Sequence, residues 1–151
     1  MKTRKRILTL LMLATFISGC SKDNNTSPEP AKLTSTQLLT AHTWQIDETY
    51  QNLSGTRTHY LRGGENTSGV NMGDMKLKFN SDGTGTNTDI SGTTYNMTWS
   101  FTSADESNLR LTVNGSVIYD WIFTNISAKV ILATSLYSTN GLITAKWVPV
   151  P

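Results

Sequence analysis

From Trp44 to near the C-terminus the chain alternates apolar and polar residues with a period of two, the signature of strands that bury one face. Tyr95, Met97, Trp99 and Phe101 alternate with Asn96, Thr98, Ser100 and Thr102 in the clearest example. Met75, Leu77 and Phe79 alternate with Lys76 and Lys78, and Leu109, Leu111 and Val113 with Arg110 and Thr112. On the first strand Trp44, Ile46 and Tyr50 share a face that Glu48 interrupts. A Thr-rich strand ends at Ile90, and Val117–Phe123, Lys129–Ser135 and Leu142–Val148 complete about eight strands.

Turn signals separate these runs. Asn80-Ser81-Asp82-Gly83 and Ser91-Gly92 each turn the chain, and Asn114-Gly115 is the strongest short hairpin signal, since both residues accept positive φ in a type I′ turn. Hairpin-length links between neighbours predict an all-β, antiparallel, up-and-down barrel of about eight strands, with a sandwich as the alternative. An interior of that size is either filled by side chains or holds one small ligand. A short helix is expected over Ser35–Ala41, with Thr34 or Ser35 as N-cap and Leu38-Leu39 as its apolar contact. Two stretches depart from the pattern. Val117–Phe123 is apolar on both faces, with Val117, Tyr119, Trp121 and Phe123 on one and Ile118 and Ile122 on the other. Its outer face is expected to be covered, by the Leu38-Leu39 segment or by a second subunit. Gln51–Gly73 is long, polar and Gly-rich, a loop in which Thr58–Arg62 has the makings of a short strand.

The first residues follow other rules. Lys2, Arg4, Lys5 and Arg6 precede an apolar run from Ile7 to Ile17, the pattern of a secretion signal and too short to span a bilayer. Ile17-Ser18-Gly19-Cys20 resembles the lipobox of bacterial lipoproteins. That resemblance implies cleavage after Gly19, so that residues 1–19 are removed, and a diacylglycerol on the Cys20 thiol. Cys20 is the only cysteine, so it has no intramolecular disulfide partner, and lipidation accounts for it. Two or more acyl chains anchor a protein stably where one does not.

Removal of the signal changes the charge. Four of the thirteen basic residues leave with it, so nine remain against eleven acidic ones, and a basic precursor becomes a mildly acidic domain. The basic footprint of a nucleic-acid binder is missing. Residues 20–32 comprise the lipidated cysteine and a polar segment with Pro28 and Pro30 that reads as a disordered tether; residues 33–151 form the barrel domain. Ser21 in place of Asp after the cysteine implies release to the outer membrane. Ser21-Lys22-Asp23 partly resembles a surface-export signal, which favours the cell surface over the periplasmic face.

Several features along residues 38–148 are similar to the lipocalin-like domain lipoproteins of Bacteroidota. They are Leu38-Leu39 shortly before Trp44, the Leu77-Lys78-Phe79-Asn80-Ser81-Asp82-Gly83-Thr84 hairpin, the Trp99 strand followed by Asn108–Val113, and the final strand with Trp147. The chain departs from true lipocalins at the first strand, where His42-Thr43-Trp44 stands in place of Gly-x-Trp. The resemblance implies a barrel without catalysis and leaves the cargo open.

Catalytic motifs are missing as well. No Gly-x-Ser-x-Gly elbow occurs, His42 and His59 have no metal-ligand spacing, and Asp105-Glu106 reads as solvated turn charge. Asn80-x-Asp82-Gly83-Thr84 lacks the ligand run of a calcium loop and reads as a turn. Neither enzyme activity nor a cofactor or metal is expected. The aromatic set is Trp44, Trp99, Trp121, Trp147, Tyr95 and Tyr119, each either core or cavity wall. Trp99, Tyr119 and Trp121, at alternating positions on neighbouring strands, are the candidate ligand-binding residues. The expected function is membrane-anchored, non-enzymatic binding of a small apolar or amphipathic ligand. The alternative is a surface interaction protein with a filled barrel, binding a protein or glycan partner through its loops.

Overall fold

A reciprocal pair of hydrogen bonds starts the helix. The Gln37 amide donates to Thr34 Oγ1, the Thr34 amide donates to the Gln37 side chain, and α1 (Ser35–Thr40) follows. The computed structural model describes residues 31–138 and 141–151; the signal segment, Cys20 and the tether as far as residue 30 lie outside the described residues. A helix this short does not hold itself in water. It is held by packing: Leu39 is fully buried, and the Trp44 indole N–H donates to the Leu39 carbonyl at 2.8 Å.

Among the described residues nine strands follow: β1 (Thr43–Leu53), β2 (Thr56–Leu61), β3 (Lys76–Phe79), β4 (Thr84–Thr88), β5 (Thr94–Phe101), β6 (Asn108–Val113), β7 (Ser116–Ile126), β8 (Ile131–Ser138) and β9 (Gly141–Pro149). From β3 to β9 each pairs antiparallel with the next; β9 then pairs with β1 and β1 with β3. Eight strands therefore close an up-and-down barrel, and this closure excludes the sandwich. The ninth, β2, lies outside the ring and pairs with β1 from Glu48 to Leu53, beyond the Thr43–Gln45 stretch that β3 occupies. The Gln51–Gly73 segment is thus only partly loop, because it contains the end of β1 and all of β2. Asn114 and Gly115 both have positive φ, 50° and 76°, as the type I′ turn predicts.

Irregularities in pairing correct two of the expected strand faces. The β1–β9 register slips between Ile46 and Glu48, so the buried face continues from Ile46 to Thr49. Thr49 is 2% exposed and Tyr50 55% exposed, the reverse of simple alternation. In the β6–β7 pair Leu111 faces Tyr119 but Thr112 faces Val117, which leaves Ile118 as the extra residue and turns Val117 outward. The Leu38-Leu39 segment does not cover the outer face of β7. Leu39 lies in the core, and Ile118 and Ile122 stay exposed.

Where β1 has left β3 and not yet met β2, Arg62 closes the seam. Its amide donates to the Asp47 carbonyl at 2.8 Å, its Nε to the Ile46 carbonyl at 2.7 Å and its Nη1 to the Gly73 carbonyl at 2.9 Å. Nη2 is buried with no partner among the described residues, which offsets part of the gain. Arg62→Met keeps the stem and removes both charged donors. It is expected to lower stability by about 2 kcal/mol, read as a lower urea midpoint at unchanged slope. Near the α1 end the barrel is filled by Trp44, Leu77, Phe79, Leu109 and Ile131. Gly85 permits the close approach of β3, since a Cβ there would overlap the Lys78 carbonyl oxygen and crowd the Met97 methyl.

A candidate ligand site inside the barrel

Toward the opposite end the inward side chains become small. Thr49 on β1, Ala145 on β9 and Ala133 on β8 are direct cross-strand partners and form one inward row. The next row contains Gln51, Ile143, Ser135 and Trp121. Short side chains in the first row leave a cavity of about 170 Å³, walled also by Ile46, Met75, Tyr119 and Trp147. An apolar cavity of roughly 150 Å³ is known to admit benzene, so this one has room for a ring-sized group. Met72, from the segment between β2 and β3, closes one side and lies 3.6 Å from the Thr49 hydroxyl. The rings of Trp121 and Trp147 sit 5.6 Å apart, and those of Tyr119 and Trp121 5.5 Å apart.

A cleft of about 510 Å³ adjoins the cavity at Tyr119, Ser135 and Ile143, which wall both. Asn87, Val117, Ile118, Asp120 and Leu136 complete this mouth. Every residue lining the inner cavity is uncharged. Burial pushes the Tyr119 hydroxyl up to about 12. Asp120 at the mouth is held by Arg110, with bonds of 2.8 and 2.9 Å. Two residues of this site carry a buried polar atom with no partner among the described residues: Trp147, which lines the cavity, at Nε1, and Asn87, which lines the mouth, at Oδ1.

Of the residues singled out from the sequence, Tyr119 and Trp121 line the cavity and Trp99 does not. Trp99 packs edge-on against Phe79 and Phe101, and its indole N–H is shared between the Asn80 and Thr84 carbonyls at 3.1 and 2.9 Å. Cys20 lies outside the described residues. Sequence reasoning missed Thr49, Ala133, Ser135 and Ala145. The signal available was small residues at inward positions of adjacent strands, in Ala133-x-Ser135 and Ile143-x-Ala145-x-Trp147.

A second concavity, of about 340 Å³, lies on the outer surface over β2, β1 and β9. There Tyr50 stacks on His59 with centroids 4.4 Å apart. Both imidazole nitrogens are engaged, Nε2 with Glu48 at 2.9 Å and Nδ1 with Glu65 at 3.0 Å, and these bonds raise the His59 pKa. The groove's central ring is therefore saturated by its own neighbours, whereas the interior retains unpaired polar atoms. The candidate acidic motifs are turns: Asp82 accepts the Thr84 amide and hydroxyl, and hydroxyl bonds from Ser103 and Ser107 hold Asp105 down to about 2. Among the described residues no group of three His, Cys, Asp or Glu side chains is placed to hold a metal. No protein-family model matches the chain and no curated protein matches it in sequence. Its architecture is an eight-stranded antiparallel closed barrel compatible with the lipocalin-like fold.

Proposed function

We propose that this protein is a lipid-tethered, non-enzymatic binding module that takes a small apolar or amphipathic ligand into its barrel. The observation that carries this reading is an uncharged interior cavity adjoining a wider mouth through the shared residues Tyr119, Ser135 and Ile143. The lipocalin-like pattern of the sequence supports the same reading. Acyl chains on Cys20 supply the membrane attachment; no described helix is long and apolar enough to cross a membrane. The outer membrane, at the cell surface, is the proposed location, resting on Ser21-Lys22-Asp23.

A surface-interaction role is the second reading. The exposed cross-strand pair Leu136–Leu142, with Ile122 nearby on β7, favours it as an apolar patch open to a partner. A native mass spectrum separates the two. Residues 21–151, which keep the unit Lys32–Pro151 intact, are produced in the native host and purified gently. The expected result is a reproducible extra mass that disappears on denaturation. A bare chain that also takes up no ring-sized apolar probe would favour the filled barrel and its outer surface.

A further inference from the structure

The inference that follows rests on the interior ligand site proposed above. We infer that the ligand is a neutral molecule with a ring-sized apolar part and a hydrogen-bond acceptor, such as a carbonyl oxygen, which takes the indole N–H of Trp147. Two of the other three tryptophans in this barrel give their indole N–H a protein acceptor. Trp44 donates to the Leu39 carbonyl, and Trp99 to the Asn80 and Thr84 carbonyls. Trp147 is 1% exposed, and its Nε1 has no partner among the described residues. A buried donor left unmade is costly, and native folds keep few of them without a reason.

The surroundings explain why the protein does not supply the acceptor itself. The cross-strand partners of Trp147 are Ile46 and Ile131, whose side chains have nothing to offer. The Thr49 hydroxyl, in the next inward row, is directed at Met72 Sδ. The orphaned donor therefore belongs to a side chain that lines the cavity in which a guest would be enclosed. Charge decides between neutral and anionic acceptors. No cation lines the cavity, so a carboxylate entering it would lose its hydration without a counter-ion, whereas a carbonyl oxygen carries a far smaller desolvation cost. Size sets the rest. The inner space holds a single ring or short branched chain, and any larger portion must extend into the 510 Å³ mouth.

Acetophenone and ethylbenzene, nearly matched in shape, test this assignment on residues 21–151. Tryptophan fluorescence gives the affinities, and ¹H–¹⁵N spectra follow the Trp147 indole proton. Acetophenone should bind about fivefold to tenfold more tightly than ethylbenzene, the scale of one net hydrogen bond. It alone should move the Trp147 indole proton downfield, and Trp147→Phe should bring the two affinities together. Equal affinities in the unmodified protein, or an indole proton that does not respond to the ketone, overturn the acceptor while leaving the interior site standing. Failure of both probes to bind overturns the interior site and this inference with it. The indole resonance decides the question even where Trp147→Phe does not fold.

Discussion

Ala145→Leu is expected to shut ligand out of the barrel while leaving the barrel folded. Ala145 lies in the middle of the small inward row, with Ala133 on one side and Thr49 on the other. A leucine there finds open space instead of packed neighbours. The usual cost of adding methylenes to a close-packed core, about 1–3 kcal/mol, therefore does not apply. Filling a void instead adds about 1 kcal/mol, a melting temperature raised by roughly 4 °C for a domain of this size. Binding should respond in the opposite direction. A ring that loses its enclosed site forfeits about 3 kcal/mol of burial, so affinity for a ring-sized ketone should fall by about 100-fold. Thermal melting and fluorescence titration of the same sample check both halves. Unchanged binding in a well-folded Ala145→Leu protein would place the ligand elsewhere, with the outer groove at Tyr50 and His59 the first alternative.

The same small row shows what the sequence made legible and what it did not. The eight strands that close the barrel are the eight read from the sequence, most by alternation, since one face meets a common interior and the other meets water, but β4 as a Thr-rich run between turns and β7 as a run apolar on both faces. The turns were equally readable: Asn114-Gly115 has the positive φ values its residue types permit. The helix was readable through its cap, where Thr34 and Gln37 satisfy one another. Parity was not readable through the bulges. A slip between Ile46 and Glu48 buries Thr49 and exposes Tyr50, and nothing in Asp47-Glu48-Thr49-Tyr50 announces an extra residue. The strand β2 was visible only as Thr58–Arg62, since it is polar, lies outside the ring and has little apolar face to bury.

The candidate site was half legible for a related reason. Aromatic residues draw attention, yet an aromatic side chain occupies space, and a cavity is made where side chains are short. Tyr119 and Trp121 turned out to be walls because Ala133, Ala145 and Thr49 stand beside them. Trp99 has no such neighbours. Its inward partners are Leu111 across the β5–β6 pair and the Phe79 and Phe101 rings, so the same residue type becomes filled core. Which of two tryptophans lines a void is decided by the residues opposite, and their identity as neighbours requires the register.

That difference gives Trp99 an expected behaviour of its own. Its backbone amide donates to the Gly83 carbonyl at 2.8 Å, while its indole N–H reaches the Asn80 and Thr84 carbonyls at the two ends of the same turn. Both carbonyls keep another donor when the indole is lost: Asn80 O retains the Gly83 amide, and Thr84 O the Asn80 amide. Trp99→Phe should therefore cost only about 1 kcal/mol, the net value of an ordinary hydrogen bond. Trp99→Ala additionally removes the ring that packs on Phe79 and Phe101, and should cost about 4 kcal/mol. Against a total stability of roughly 5–15 kcal/mol that loss leaves a barrel close to unfolding. Urea denaturation of the two variants measures both, with Phe near the unmodified midpoint and Ala far below it. Ligand affinity in Trp99→Phe should be unchanged, because Trp99 does not line the cavity. A variant with near-normal stability and lost ligand would return Trp99 to the binding site and require the cavity to extend toward the α1 end of the barrel.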